Sequence, residues 1–250
     1  MNSEDEKLKK RFLELSNRSN LENRYIFTNF LGLSELSVFY ESTKEMGNLP
    51  YEVFGGYEDA ERVLIRFGSF ESFGYEEPYP IAILEISPLI EKFSDDLTHR
   101  DFLGALMNLG IEREVLGDIL LKKNKAYLFC LVSMKDYIIK ELSKVKHTSV
   151  KTRETDSLPE TDKYVPTESL IQVASLRLDA VIARACNLSR NDATELFFEK
   201  KVFLNGRLIE NNSKAVTSGD KVTVRGFGRF EISEVAGISK KGKQNLKILK

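Results

Sequence analysis

Apolar residues recur at helical spacing in two early stretches. In EDEKLKKRFLELSN they fall at Leu8, Phe12 and Leu15, steps of three and four that line one side of an α-helix. A second stretch, LENRYIFTNFLG, reads the same way. From Tyr51 the texture changes. Gly55 and Gly56 punctuate the chain, and residues 62–67 read as a strand. Residues 1–75 are therefore expected to form a small mixed α/β subdomain, and no motif in it names a chemistry.

The next elements are sharper. PIAILEIS is the continuous apolar run of a buried strand. THRDFLGALMNLG is a helix with Thr98 and Asp101 in capping-box spacing, Phe102, Leu106 and Leu109 on one face, and Gly110 as its stop. GDILL and KAYLFCLV predict two strands around residues 122–125, MKDYIIKELSKV an amphipathic helix, and TSVKTRE a last strand. The order β-α-β-β-α-β over residues 76–152 is that of a ferredoxin-like domain. RNA-recognition modules share this plan and stack bases on aromatics of the third strand. Tyr127 and Phe129 share one face of that strand. Either base stacking or packing beneath a neighbouring segment accounts for them. Residues 153–169, RETDSLPETDKYVPTES, are polar with two prolines and predict a linker.

In the last module, from residue 170, SLRLDAVIARACN places Leu178, Val181, Ile182 and Ala185 on one stripe, with Arg177 and Arg184 elsewhere. Ser189 stands three residues before Asp192 in capping-box spacing, and Ala193, Leu196 and Phe197 supply the buried stripe of a second helix. Arg190, Thr194 and Lys201 are expected near one line on it, because eleven residues is close to three turns. Its N-terminus offers backbone N–H groups to a phosphate. Asn205-Gly206 between two apolar runs signals a two-residue type I′ hairpin. Two short helices followed by a hairpin would gather Arg190, Lys200, Lys201 and Arg207 into one basic ledge.

Charge supports this. The whole chain has a net charge of −1, yet residues 171–250 carry 15 Lys/Arg against 8 Asp/Glu. A basic end on an otherwise acidic chain points to a polyanionic partner, whose condensed counterions are released on binding. Lys240, Lys241, Lys243, Lys247 and Lys250 would lengthen that footprint, although Leu246, Ile248 and Leu249 suggest a closing strand.

As a set, Arg177-Leu178-Asp179, Ser189-Arg190, Ala193, Val202, Leu204-Asn205-Gly206, Gly219-Asp220-Lys221-Val222 and Val224 resemble the S-four RNA-binding domain, built on a helix-hairpin αL motif. Lys200 departs from the glycine usual there, which puts the backbone at that bend in question. In that family the two helices and the start of the hairpin face RNA. Carried to matching positions, the resemblance nominates Arg177, Ser189, Arg190, Lys201 and Asn205; charge adds Lys200 and Arg207. Asp179 would repel phosphate and is expected to cap or pair locally, holding an arginine in place. Over nearly its full length the chain is also similar to YlmH-type bacterial proteins, through HRDFLGALMNLGIEREVLGDIL, RLDAVIARACNLSR and VRGFGRF. That resemblance implies a non-enzymatic binder of structured rRNA and tRNA, engaging large ribosomal subunits that carry peptidyl-tRNA in rescue or quality control of stalled translation. His99, Arg100 and Arg113 add cations to the middle motif.

Other chemistries find little support. The RLD triplet is similar to one in pseudouridine synthases, but there the catalytic aspartate lies in a large separate domain after the RNA-binding one. Here it opens the RNA-binding domain itself. Two histidines, His99 and His147, do not make a histidine-rich metal site, and no nucleophile-elbow spacing or phosphate-binding glycine loop is present. Cys130 and Cys186 fit neither a disulfide framework nor a zinc site. The expectation is an α+β protein with no catalytic residue, cofactor or metal. With no run of about 18 apolar residues, it is expected in the cytoplasm without membrane insertion. An interaction protein of the division machinery, docking through the acidic front half, is the rival reading. An RNA-modifying enzyme acting from residues 1–75 is a third.

Overall fold

The structure is a computed structural model that describes residues 3–58, 60–156, 158, 167–239 and 242–250. These fall into two compact units, one from Met1–Glu35 and Glu41–Lys163, the other from Leu36–Tyr40 and Tyr164–Lys250.

The first unit opens with α1 (Ser3–Glu22), which buries Phe12, Ser16 and Ser19. Helix does not resume at LENRYIFTNFLG as its spacing predicts. Asn23 turns left-handed (φ 49°) and ends α1. The Tyr-Ile-Phe run that follows finds a strand partner instead, as β1 (Ile26–Phe27) pairs antiparallel with Phe67 and Arg66. Short apolar runs carry both periods, and here the available partner decides. Helix α2 (Leu33–Ser42), of which Leu36–Tyr40 belong to the second unit, precedes β2 (Tyr51–Phe54), β3 (Leu64–Phe67) and the short α3 (Phe70–Phe73). The three strands form one antiparallel sheet in the order β1-β3-β2.

A second sheet in this unit holds β4 (Ile81–Pro88), β5 (Leu116–Lys122), β6 (Lys125–Leu131), β7 (Lys144–Val145) and β8 (Thr148–Glu154). Between them come α4 (His99–Asn108) and α5 (Val132–Glu141). The order is β5-β6-β4-β8-β7, all antiparallel. Phe102 and Leu106 of α4 and Ile138 of α5 pack with Leu84, Ile86, Ala126, Leu128 and Cys130 in a continuous core. The α4 capping box forms as expected, with Asp101 accepting from the Thr98 amide at 2.8 Å.

The opposite face of this sheet is not open. Phe129 is fully buried in a second core with Phe30 and Leu64, walled by Phe27, Tyr57 and Tyr79. Two glycines allow the close fit. A Cβ on Gly56 would stand 2.5 Å from the Phe129 ring, and one on Gly117 would stand 2.8 Å from Phe129 Cβ and from the Phe30 ring. Asp118 next to Gly117 clamps the covering loop, accepting from Tyr57 Oη at 2.8 Å and from the Glu61 amide at 2.7 Å. Tyr127 is also buried and donates to Glu85 at 3.1 Å. Base stacking on Tyr127 and Phe129 is thereby excluded; packing under a neighbouring segment accounts for both.

The second unit is a six-stranded antiparallel sheet in the order β11-β10-β12-β13-β14-β9, packed against two helices. Its elements are β9 (Glu168–Val173), α6 (Leu178–Ala185), α7 (Arg190–Phe198), β10 (Val202–Leu204), β11 (Arg207–Leu208), β12 (Lys221–Val224), β13 (Gly228–Ile238) and β14 (Gln244–Leu249). Val181 and Ile182 of α6, and Leu196 and Phe197 of α7, meet Val222, Phe230, Leu246 and Ile248 in one core. The tail is indeed a closing strand: β14 pairs with both β13 and β9. Of the expected linker, Arg153 and Glu154 belong to β8, and Glu168 and Ser169 to β9. Residues 157 and 159–166 lie outside the described residues.

Candidate nucleic-acid interface

The junction of α6 and α7 is built from local rules. Asn187 adopts φ 54°, and the Leu188 amide donates back to Ala183 O at 2.8 Å, closing α6. The next helix starts two residues later on a full capping box. Ser189 Oγ accepts from the Asp192 amide at 3.1 Å, and Asp192 accepts from the Ser189 amide at 3.3 Å. This short turn starts α7 next to the end of α6, and the Arg190 side chain reaches back to Asp179 in the first turn of α6.

Asp179 joins the two starts. Its side chain is 4 % exposed, yet both oxygens are engaged. Oδ1 accepts from the Ala180 amide at 2.7 Å and from Arg177 Nε at 3.2 Å. Oδ2 accepts from Arg177 Nη2 at 3.0 Å and from Arg190 Nη2 at 3.1 Å. One buried carboxylate therefore holds two guanidinium groups, themselves 43 % and 50 % exposed. Hydrogen bonds to charged groups are shorter and stronger than neutral ones and restrict the arginine rotamers. The cluster keeps one net positive charge. Beside it lies a groove of about 420 Å³ whose wall includes Arg184, Asn187 and Arg190. The expectation that Asp179 pairs locally and holds an arginine is met, with two arginines instead of one.

The other cations sit at the far end of α7. The helix ends at Phe198, and the chain turns through Lys200 at φ 55°. Lys200 N donates to Phe197 O at 3.1 Å and Lys201 N to Leu196 O at 2.9 Å, the paired bonds of a Schellman stop. Lys200 thus takes the left-handed conformation that glycine adopts freely. Because of this turn, Lys201 does not continue the line of Arg190 and Thr194. At 1.5 Å per residue the two ends of the nine-residue α7 are about 13 Å apart. The cations therefore form two groups rather than one compact ledge.

Lys200 pairs with Glu210 at 3.3 Å and Lys201 with Glu199 at 2.8 Å, all largely exposed. Such surface pairs contribute little and exchange readily for other anions. Asn205 and Gly206, both at positive φ (52° and 76°), make the predicted two-residue turn. The Asn205 side chain donates to Asp220 Oδ1 at 2.8 Å and accepts from the Lys221 amide at 2.8 Å, so it ties the hairpin to the start of β12. The Arg207 guanidinium lies 5.1 Å from the centre of the Tyr40 ring.

Arg225 stands in the sequence only as part of the VRGFGRF motif, with no periodicity or cap to mark it as a site cation. Its amide donates to Lys201 O at 2.9 Å, and its guanidinium lies 5.0 Å from the Phe203 ring centre. In the middle domain, His99 and Arg100 are exposed at the start of α4. Arg113 donates to the carbonyls of Leu116 and Gly117, both at 3.0 Å, and burial pushes its pKa down to about 10. It braces the β5 bulge. In the tail, Lys247 pairs with Glu234 at 2.8 Å, and Lys250 Nζ donates to Ala185 O at the end of α6. Lys240 and Lys241 lie outside the described residues. Among the described residues, no group of three or more His, Cys, Asp or Glu is placed to hold a metal ion. No described helix is long and apolar enough to cross a membrane.

Residues 75–158 match the family described as "Putative RNA-binding domain in YlmH". Residues 168–225 match "Mitochondrial transcription rescue factor 1, C-terminal domain". The chain is 28 % identical over 227 residues to the ribosome-associated protein quality control protein P2 of Bacillus subtilis (strain 168), covering 88 % of this chain and 85 % of that protein. Its fold is similar to that of the cell division protein ylmH from Streptococcus pneumoniae. There the TM-score is 0.50 at 24 % identity, over 65 % of this chain and 96 % of the other. The likeness to YlmH-type proteins read from the sequence is borne out by these matches.

Proposed function

We propose that this chain is a non-enzymatic binder of structured RNA that acts on large ribosomal subunits, at rRNA and tRNA, in quality control of stalled translation where peptidyl-tRNA is retained. In this reading residues 76–152 are a ferredoxin-like domain, residues 170–250 are an S-four RNA-binding domain, and the protein works in the cytoplasm. The observation that carries it is the pair of arginines, Arg177 and Arg190, fixed by one buried carboxylate where two helices begin. Oriented guanidinium forks suit phosphate oxygens, and the neighbouring α7 N-terminus adds the positive end of its dipole. Ser189, Lys200 and Lys201 extend the contact, while Asn205 and Arg207 shape and flank the hairpin. The similarity to a protein named for ribosome-associated quality control supports the assignment to the ribosome.

The test is co-sedimentation with large ribosomal subunits. Arg190→Glu combined with Lys201→Glu is expected to abolish it while the circular dichroism of the protein is unchanged. If about six phosphates are contacted, log K should fall with log salt at a slope of roughly −4 to −5. Co-sedimentation of the double variant at the wild-type level overturns the assignment. Nucleoside mass spectrometry of RNA from wild-type and deletion cells checks the non-enzymatic reading, which expects identical modification.

A further inference from the structure

Two phenylalanines of the C-terminal unit face solvent, while Phe197, Phe203 and Phe230 of the same unit are buried. Phe198, the last residue of α7, is 82 % exposed beside the buried Phe197, and Phe227 is 50 % exposed while Phe230 is buried. Neither helps to fill the core of the unit. Phe227 is held firmly in place. It sits in a three-residue turn closed by the pairing of Val224 with Gly228, and its amide donates to Val224 O at 2.9 Å. Gly226 and Gly228, at φ 88° and 101°, supply the left-handed backbone on either side. The hydrogen bond from the Arg225 amide to Lys201 O brings this turn against the segment that follows Phe198. The turn and the segment after Phe198 carry Lys200, Lys201, Arg225 and Arg229, with Lys200 paired to Glu210 and Lys201 to Glu199.

We infer that Phe198 and Phe227 are stacking platforms for unpaired nucleobases of the bound RNA. Exposed aromatic faces among cations match the two parts of a nucleotide, a flat π-face and a phosphate. A perfect A-form duplex keeps its bases stacked on one another and offers the rings nothing. The partner is therefore an RNA loop, bulge or end, recognised beside the phosphates that the arginines hold. This inference rests on the RNA-binding reading and adds the class of RNA element to it.

The chain contains no tryptophan, so Phe227→Trp introduces a single indole fluorophore at the turn. The probes are a short RNA hairpin with an unpaired loop and a fully paired RNA duplex of equal length, both read also by fluorescence anisotropy. Phe198→Ala and Phe227→Ala alter exposed side chains, and both variants are expected to stay folded. The expected result is that the hairpin quenches the indole of the Phe227→Trp protein and the duplex does not, and that each alanine variant binds the hairpin about tenfold more weakly while its duplex affinity is unchanged. An unquenched indole with wild-type affinities in both alanine variants overturns the inference and leaves the rings to a protein contact. If Arg190→Glu combined with Lys201→Glu still abolishes binding in that case, the RNA-binding reading survives alone. Failure of the wild-type protein to bind either RNA overturns both.

Discussion

Replacing Asp179 by asparagine sets two effects of opposite sign against each other. The change keeps the side-chain shape and an acceptor for the Ala180 amide, but it removes the charge that Arg177 and Arg190 share. If the carboxylate merely neutralised the arginines, its loss would strengthen RNA binding. A phosphate on the solvent side of the guanidinium groups would lie about 8 Å from it, and at a dielectric near that of water the relieved repulsion is about 0.5 kcal/mol, less at physiological salt. If the carboxylate positions them, two long side chains must instead be ordered by the RNA, at about 0.5–1.5 kcal/mol each. The ordering cost of about 1–3 kcal/mol exceeds the relief. The net of about 0.5–2.5 kcal/mol means that Asp179→Asn should weaken binding to large ribosomal subunits about two- to sixtyfold although the protein becomes more positive. The unit should also lose about 2 kcal/mol of stability, since the hydrogen bonds lost are to a charged acceptor but from half-exposed donors. Urea denaturation gives the second number, and titration at fixed salt, below the unfolding range, gives the first. Tighter binding by a folded Asp179→Asn protein would refute the positioning argument.

Other consequences are as direct. Lys200→Gly relieves a left-handed lysine and should stabilise the C-terminal unit by about 0.5–1 kcal/mol, visible as a rise of a few degrees in its melting temperature; a fall would contradict the Schellman geometry. Gly117→Ala drives a methyl group to 2.8 Å from Phe129 Cβ and should destabilise the first unit by about 1–3 kcal/mol, measured by denaturation. Glu85 supplies a pH test. Burial pushes its pKa up, but hydrogen bonds from Arg153 and Tyr127 and the charges of Lys125 and Arg153 outweigh this, so the net direction is down from the ordinary 4.5. Its contribution to stability is therefore fully present above 4.5 and is lost as pH falls through the lower folded value. The stability gap between wild type and Glu85→Gln should close below that pH, and a constant gap would show that the charge does not matter.

Local signals were the legible ones. The capping boxes at Thr98 and Ser189 and the Asn205-Gly206 turn lie within a few residues of their partners, and the structure has them where spacing puts them. The strand at residues 26–27 was not legible, because its partner lies about forty positions away. Nor was the fate of Tyr127 and Phe129. Alternating aromatics look the same whether water, RNA or protein covers them, and the cover here includes Phe27, Phe30, Tyr57, Leu64 and Tyr79. The cations of α7 were correctly placed in the sequence but not in space, since an eleven-residue line assumes a helix that continues past Phe198, and it stops there. Asn205 reads as a surface amide until Asp220, fifteen positions on, takes its side chain. The grip of Asp179 on Arg190 spans two helices and has no period to announce it.

The cradle around Phe129 binds its members to a shared history. The Phe129 ring occupies the space a side chain on Gly56 would need, and Phe129 Cβ with the Phe30 ring occupies that beside Gly117. A methyl group at Gly117 would need both Phe30 and Phe129 to yield, and one at Gly56 would be strained by its left-handed backbone even beside a smaller ring. Across related chains Phe30, Gly117 and Phe129 should therefore vary in concert, whereas the lysines beyond α7, gripped by no such packing, can be exchanged one at a time.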